Sequence, residues 1–204
     1  ARSIRGSVIG CCSLRQLGGF AKRGVCSRRD TMESTRIEVG ATVAGRYRLV
    51  AELARGHVVV DYEAVDQEGG GKAAVKVLHA EYLADDAMRR RLRREGAVLK
   101  ALSHPAIVRL LELVVEEDGR VCLVTELVEA EPLTERLERG PLSIEEADAL
   151  VIALSGGLGA AHEHGVLHGD LKPANVLWSS ETEGPRARLV DFSASKILGL
   201  DRLT

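Results

Sequence analysis

Eight consecutive residues, His168-Gly169-Asp170-Leu171-Lys172-Pro173-Ala174-Asn175, constrain this chain more than any other stretch. An acid, a cation, a helix-breaking proline and an amide share one short loop. Gly165-Val166-Leu167 precede it and Val176-Leu177-Trp178 follow it, so the polar loop is predicted to hang between two buried strands. Such a frame holds several polar side chains at set mutual positions, which a catalytic loop requires. His-Gly-Asp alone would be an ordinary charged turn. The full run with Lys172 and Asn175 is more than that.

The residues before the loop fall into segments of different character. The first thirty or so, to about Thr31, carry Arg2, Arg5, Arg15, Lys22, Arg23, Arg28 and Arg29 against one acid, Asp30. Three readings stand for them: an organelle-targeting peptide, a disordered basic arm, or a stretch upstream of a natural start at Met32. None makes a folded unit, and residues 1–40 are expected to be a basic, disordered segment. Strands are predicted at Tyr47 to Leu53, Val58 to Val65 and Ala73 to Leu78, with Gly69-Gly70-Gly71 as a turn. Asp85 to Leu102 has the apolar stripe of a helix, ended by Ser103-His104-Pro105. Ile107 to Val115 and Val121 to Glu126 complete a five-stranded antiparallel meander, joined through Asp118-Gly119. A small helix is expected from Leu133 to Arg139. Ser143 and Glu146 have capping-box spacing and open a largely apolar helix to about His164, which should be buried on most of its surface. A strand pair then ends at Leu189-Val190-Asp191-Phe192-Ser193.

The whole has 204 residues and a formal charge of -2, which argues against nucleic acid as the main partner. No apolar run is long enough to span a membrane. Cys11, Cys12, Cys26 and Cys122 lack metal-site or disulfide-framework spacing, so a reducing, cytoplasmic setting is expected.

In order and spacing these parts resemble a eukaryotic-type (Hanks-type) serine/threonine protein kinase of the bacterial kind. Five separated features carry the resemblance. Ala73-Ala74-Val75-Lys76 resembles the Val-Ala-Ile-Lys strand, and Glu95 lies where the family's helix glutamate belongs. Thr125 ends a strand like a gatekeeper, before a hinge at Glu126-Leu127-Val128. His168 to Asn175 resembles His-Arg-Asp-Leu-Lys-Pro-x-Asn, and Asp191-Phe192-Ser193 resembles Asp-Phe-Gly. The resemblance implies an α+β bilobal fold, with a first lobe of five strands and one helix over 41–128 and a partial, mainly helical second lobe over 129–204. It implies transfer of the γ-phosphate of ATP to a serine or threonine of a protein substrate, with Mg²⁺. Lys76 would bind phosphates and pair with Glu95. Asp170 would take or orient the proton of the accepting hydroxyl, and Lys172 would stabilise the moving phosphoryl group. Asn175 and Asp191 would hold the metal. Ala54, Gly56, Val59, Ala74, Thr125, Glu126, Val128 and Leu177 would surround the nucleotide. Leu99, Leu110, His168 and Phe192 would stack into the regulatory spine.

The sequence also departs from that pattern. Where the family has Gly-x-Gly-x-x-Gly-x-Val, this chain has Ala54-Arg55-Gly56-His57-Val58-Val59-Val60-Asp61. Val59 should stiffen the loop. Asp61 falls where an apolar valine normally covers adenine. Gly169 replaces the arginine before the catalytic aspartate, and Ser193 replaces a glycine, restricting the backbone there. Little follows Ser193, so the chain is expected to be the front part of such a domain. A pseudokinase, binding nucleotide or serving as a scaffold, is the alternative reading.

Overall fold

A computed structural model describes residues 37–116, 119–180 and 186–198 of the chain. The basic N-terminal stretch and the centre of the 116–119 hairpin lie outside these residues.

Six strands form the first sheet: β1 (Thr42–Val43), β2 (Tyr47–Arg55), β3 (Val59–Asp66), β4 (Lys72–Leu78), β5 (Leu110–Val115) and β6 (Val121–Glu126). Their order is β1-β2-β3-β4-β6-β5, every pairing antiparallel. The five expected strands are thus joined by a sixth, whose two residues are too short to show a period. β5 starts three residues later than expected. Ile107 instead makes a parallel bridge to Leu189, after the turn that Pro105 imposes.

Period-two alternation decides which face each side chain joins. Val60, Tyr62 and Ala64 of β3 enter an apolar cluster with Ala73, Val75 and Val77 of β4 and Cys122 and Val124 of β6. The alternate residues Asp61, Ala74, Lys76, Leu123 and Thr125 share the opposite face, as the cross-strand pairs Asp61–Lys76, Lys76–Leu123 and Ala74–Thr125 require.

Helix α1 (Asp86–Ala101) packs on that opposite face. The Asp85 carboxylate caps it, accepting from the amides of Ala87 at 2.8 Å and Met88 at 3.2 Å. Gly96 sets its closeness to the sheet: a Cβ there would meet Leu113 at 2.8 Å and Leu123 at 3.1 Å.

Strand β7 (Glu131–Pro132) leads into α2 (Leu133–Glu138) and then α3 (Ile144–Glu163). The capping box of α3 is formed: the Ser143 hydroxyl accepts from the Glu146 amide at 3.2 Å, and Glu146 accepts from the Ser143 amide at 2.8 Å. Gly157 lets α3 approach Leu189 and the backbone of Ala106; a Cβ there would sit 3.1 Å and 3.2 Å from them. The expectation that most of α3 is buried does not hold. Ala153, Gly157 and Ala161 are buried, while Ile144, Val151 and Ile152 are exposed at 77%, 64% and 72%. Only one side of this all-round apolar helix finds neighbours among the described residues.

Strand β8 (Val166–Leu167) pairs with β11 (Lys196–Ile197), and β9 (Val176–Trp178) lies between β7 and β10 (Ala187–Leu189). The last strand before Asp191 stops at Leu189 rather than reaching Ser193. Its extension is cut off because Asp191 adopts a left-handed backbone, with φ of 61°.

Candidate active site

The apolar flanks of the 168–175 loop do what their composition predicts. Val166, Val176 and Trp178 are buried, and β8 and β9 hold the loop ends apart. Inside the loop, residues 173–175 form a single 3₁₀ turn after Lys172, with Pro173 at its start. That turn swings the Asn175 side chain back under Asp170. Its amide nitrogen donates to the Asp170 carbonyl at 2.8 Å and to the carboxylate at 3.1 Å. Lys172 donates to the same carboxylate at 2.6 Å. The Lys172 hydrogen bond, seconded by Asn175, holds the Asp170 carboxyl below its ordinary value.

His168 is buried and acts as a strut. One ring nitrogen contacts the Val190 carbonyl at 3.1 Å, and the ring lies 4.7 Å, centroid to centroid, from Phe192. Leu99 and Phe192 are buried in one core, with Leu110 packed against it. The expected stack of Leu99, Leu110, His168 and Phe192 is therefore core packing that ties α1 to the loop.

The second half of the site comes from the first sheet. Lys76 on β4 donates to Glu95 at 2.8 Å and to Asp191 at 3.4 Å. Glu95 is 2% exposed, on the α1 turn that Gly96 presses against β5 and β6. Burial pushes the Glu95 carboxyl up, and Lys76 pulls it part of the way back. Burial alone would lower Lys76; Glu95, Asp61 and Asp191 together raise it well above an ordinary lysine. Asp191 is held low: burial opposes ionisation there, and Lys76 and the Ser193 amide and hydroxyl outweigh it.

The remaining expected residues divide. Ala74, Thr125 and Leu177 are half-buried; Ala74 and Thr125 face each other across β4 and β6 on the Lys76 side. Val128 packs at the edge of the core. The Glu126 side chain is committed elsewhere, to Arg188 at 2.9 Å and the Arg109 amide at 3.0 Å, and its own amide donates to the Arg109 carbonyl at 3.0 Å, so neither is free for a ligand in the cleft. It lines instead a separate cavity of about 300 Å³ with Leu102, His104, Arg109 and Arg188. Ala54 and Gly56 are exposed at the β2–β3 turn. Val59 is already in β3, paired with Leu78, and its carbonyl accepts from the Gly56 amide at 2.9 Å. The stiffening expected from Val59 takes the form of a strand that runs into the turn.

Three contacts were not anticipated from the sequence. His79 reaches the Gly56 carbonyl at 2.8 Å and pins the tip of that turn. Arg91, one helical turn before Glu95, donates to the Ser193 carbonyl at 3.1 Å and meets its hydroxyl at 3.3 Å. The i, i+4 spacing of Arg91 and Glu95 was the available signal. Ser193 itself is not in the left-handed region; among the described residues other than glycine, only Ala44 and Asp191 are. The serine is thus accommodated without the backbone freedom that glycine would supply. Gly169 does need to be glycine: its φ is 84°, and a Cβ would lie 2.3 Å from the Ala194 carbonyl oxygen.

Among the described residues no three His, Cys, Asp or Glu side chains form a metal cluster, and no helix is long and apolar enough to cross a membrane. Asn175 and Asp191 nevertheless offer hard oxygen donors, one amide and one carboxylate. That set fits Mg²⁺, which takes few protein ligands and fills its octahedron with phosphate and water.

Residues 47–203 match the protein kinase domain family. The serine/threonine-protein kinase pkn2 of Myxococcus xanthus is 38% identical over 157 residues, 77% of this chain and 19% of that protein. PknA of Mycobacterium tuberculosis is 37% identical over 163 residues, 78% of this chain and 37% of that protein. This chain therefore spans well under half the length of these curated relatives. The solved PknI kinase domain of M. tuberculosis is 34% identical, with a TM-score of 0.64 over 78% of this chain and 62% of that one. The kinase domain PF14_0431, 18% identical, has a TM-score of 0.70 over 82% of this chain and 57% of that one, a likeness of fold alone. The bilobal α+β architecture expected from the sequence is the fold of these structures.

Proposed function

This chain belongs to the protein kinase domain family, and from that membership we infer that it carries the site of an ATP-dependent serine/threonine protein kinase of the bacterial, Hanks type. One observation supports the reading above all others: the Lys76 ammonium lies between Glu95 and Asp191, bonded to both, at 2.8 Å and 3.4 Å. Glu95 fixes a lysine that would otherwise be free to rotate. The fixed cation can then meet α- and β-phosphates without reorganising when they arrive. Asp170, kept ionised by Lys172 and Asn175, is suited to orient the hydroxyl of a protein serine or threonine and accept its proton. Lys172 is suited to the charge that develops on the transferred group. Asn175 and Asp191 would hold Mg²⁺, which would supply neutralisation of phosphate charge. Ala54, Gly56, Val59, Ala74, Thr125, the carbonyl of Glu126, Val128 and Leu177 belong to the nucleotide side of the same proposal. So do the division into a first lobe at 41–128 and a partial second lobe at 129–204, and a cytoplasmic place of action.

The test is phosphoryl transfer from Mg-ATP labelled at the γ position to a general protein acceptor, by this chain and by its Asp170→Asn variant. Transfer that drops about 10²-fold or more in the variant supports the roles given; equal transfer by both removes Asp170 from the chemistry. A second reading, a nucleotide-binding or scaffolding pseudokinase, is favoured by one feature: Val59 and Asp61 stand in β3 where the family has glycine and valine, and His79 pins the turn. It predicts little or no thermal shift with Mg-ATP, or a shift without turnover.

A further inference from the structure

The cleft face of β3 and β4 carries a charge that neither its neighbours nor its chemistry calls for. Along this face Val59 pairs with Leu78, Asp61 with Lys76, and Glu63 with Ala74. Glu63 turns its charge to Lys72 at 3.1 Å, near the sheet's open end. Asp61 has no such outlet. It also pairs with Ala54 of β2, so alanine lies on one side of it and Lys76 on the other. Its register is fixed by its neighbours, because Val60 and Tyr62 are 4% and 3% exposed in the opposite cluster. A slip of one residue would put the carboxylate into that dry core.

Cross-strand partners stand about 4.5–5.5 Å apart at Cβ. Asp61 therefore lies across the strand from Lys76, near enough for its charge to act on the ammonium but not bonded to it, beside the two bonded carboxylates Glu95 at 2.8 Å and Asp191 at 3.4 Å. One cation faces three acids before any phosphate enters. Glu95 positions the lysine and Asp191 belongs to the opposite wall. Neither of those tasks falls to Asp61.

We propose that Asp61 is a specificity-determining residue, an internal counter-ion of Lys76 that competes with ligand phosphates and makes the cleft discriminate by phosphate charge. The inference rests on the nucleotide reading of this cleft. Burial raises the Asp61 carboxyl above an ordinary aspartate, Lys76 lends it support by drawing it part of the way back, and the Asp191 charge adds to the rise. A phosphate that takes Lys76 removes that support and meets the aspartate's field at short range. Adenosine, without phosphate, meets neither effect.

The experiment compares wild type, Asp61→Asn and Asp61→Val by titration with Mg-ADP and with adenosine. Asp61→Asn keeps shape and removes charge. It is expected to bind Mg-ADP about tenfold more tightly, or ~1.4 kcal/mol, with adenosine affinity changed less than about twofold. Asp61→Val should give the same gain on Mg-ADP and an added gain on adenosine through apolar contact. An equal gain on both ligands in Asp61→Asn, or none, overturns the proposal. Binding by wild type without the selective gain overturns this inference alone. Absence of binding by all three proteins overturns the nucleotide reading as well. A readout without nucleotide runs beside it. Unfolding of Asp61→Asn, Lys76→Met and the double variant should show coupling between the two positions; strict additivity counts against Asp61 as the lysine's counter-ion.

Discussion

Replacing Lys76 with methionine would leave the Glu95 carboxylate, 2% exposed, without its cation. Removing one partner of a buried pair costs about 3–5 kcal/mol when the other must stay charged. Glu95 has a way out, because it can take a proton. At pH 7 that route costs a glutamate about 1.4 kcal/mol for each unit between its ordinary value near 4.3 and the solution, or ~3.7 kcal/mol altogether. At pH 5 the same route costs ~1 kcal/mol. The stranded carboxylate thus cannot cost more than these limits. The sign follows from the direction of the shift: burial already raises Glu95 in the folded chain, and loss of Lys76 raises it further. The folded state then binds the extra proton, and stability is regained as pH falls through the raised folded value toward the unfolded one. Denaturant unfolding at both pH values should find Lys76→Met less stable than wild type by up to about 3–4 kcal/mol at pH 7 and ~1 kcal/mol at pH 5. Adding Glu95→Gln should restore the Glu95 share of the difference at pH 7, leaving the shares of Asp191 and Asp61. A deficit that is the same at both pH values, or one that Glu95→Gln leaves untouched, would refute the reasoning and assign the loss to packing.

Two further outcomes follow from the loop. Gly169→Ala puts a Cβ 2.3 Å from the Ala194 carbonyl at a φ of 84°; it should cost about 1–3 kcal/mol and loosen the β8–β11 pair, seen as faster hydrogen exchange of the Leu198 amide, which bonds the Gly165 carbonyl at 2.7 Å. Lys172→Met removes the first cause of the low Asp170 value, so the acid limb of the kcat/KM profile should move to higher pH; a limb that stays in place would mean that Asp170 is not the group it reports.

Much of this could be read from the residues. The apolar flanks of the 168–175 loop, the capping box at Ser143 and Glu146, and the alternation along β3 are local patterns, set by neighbours within a few positions. Lys76 and Glu95 are 19 residues apart and Lys76 and Asp191 are 115 apart. Nothing in the local pattern of α1 separates Glu95 from a solvent-facing acid among arginines; only the motif order of the family singled it out. The closeness that buries it is set by Gly96, whose neighbours Leu113 and Leu123 come from other elements. β1, at two residues, has no period to detect. Which side of α3 stays exposed was not legible, since a helix apolar all round does not say which side will find neighbours.

The conformation of Asp191 shows how the two halves of the site depend on one another. A non-glycine residue at φ 61° is disfavoured by roughly 1 kcal/mol or more, and it persists only when its surroundings hold it there. Here the holding groups come from both lobes. Lys76 reaches the Asp191 carboxylate from β4, the Ser193 amide reaches it from its own segment at 3.3 Å, and Arg91 holds the Ser193 carbonyl at 3.1 Å. Lys76 is itself held by Glu95, and Glu95 and Arg91 project from the same side of α1, one turn apart. A shift of α1 away from the sheet would therefore withdraw Arg91 from Ser193 and Glu95 from Lys76 in one movement, leaving the strained backbone of Asp191 supported by its own segment alone. The helix and the aspartate are thus tied through Lys76 and through Arg91, and serine in place of glycine at 193 gives Arg91 a hydroxyl as well as a carbonyl to hold.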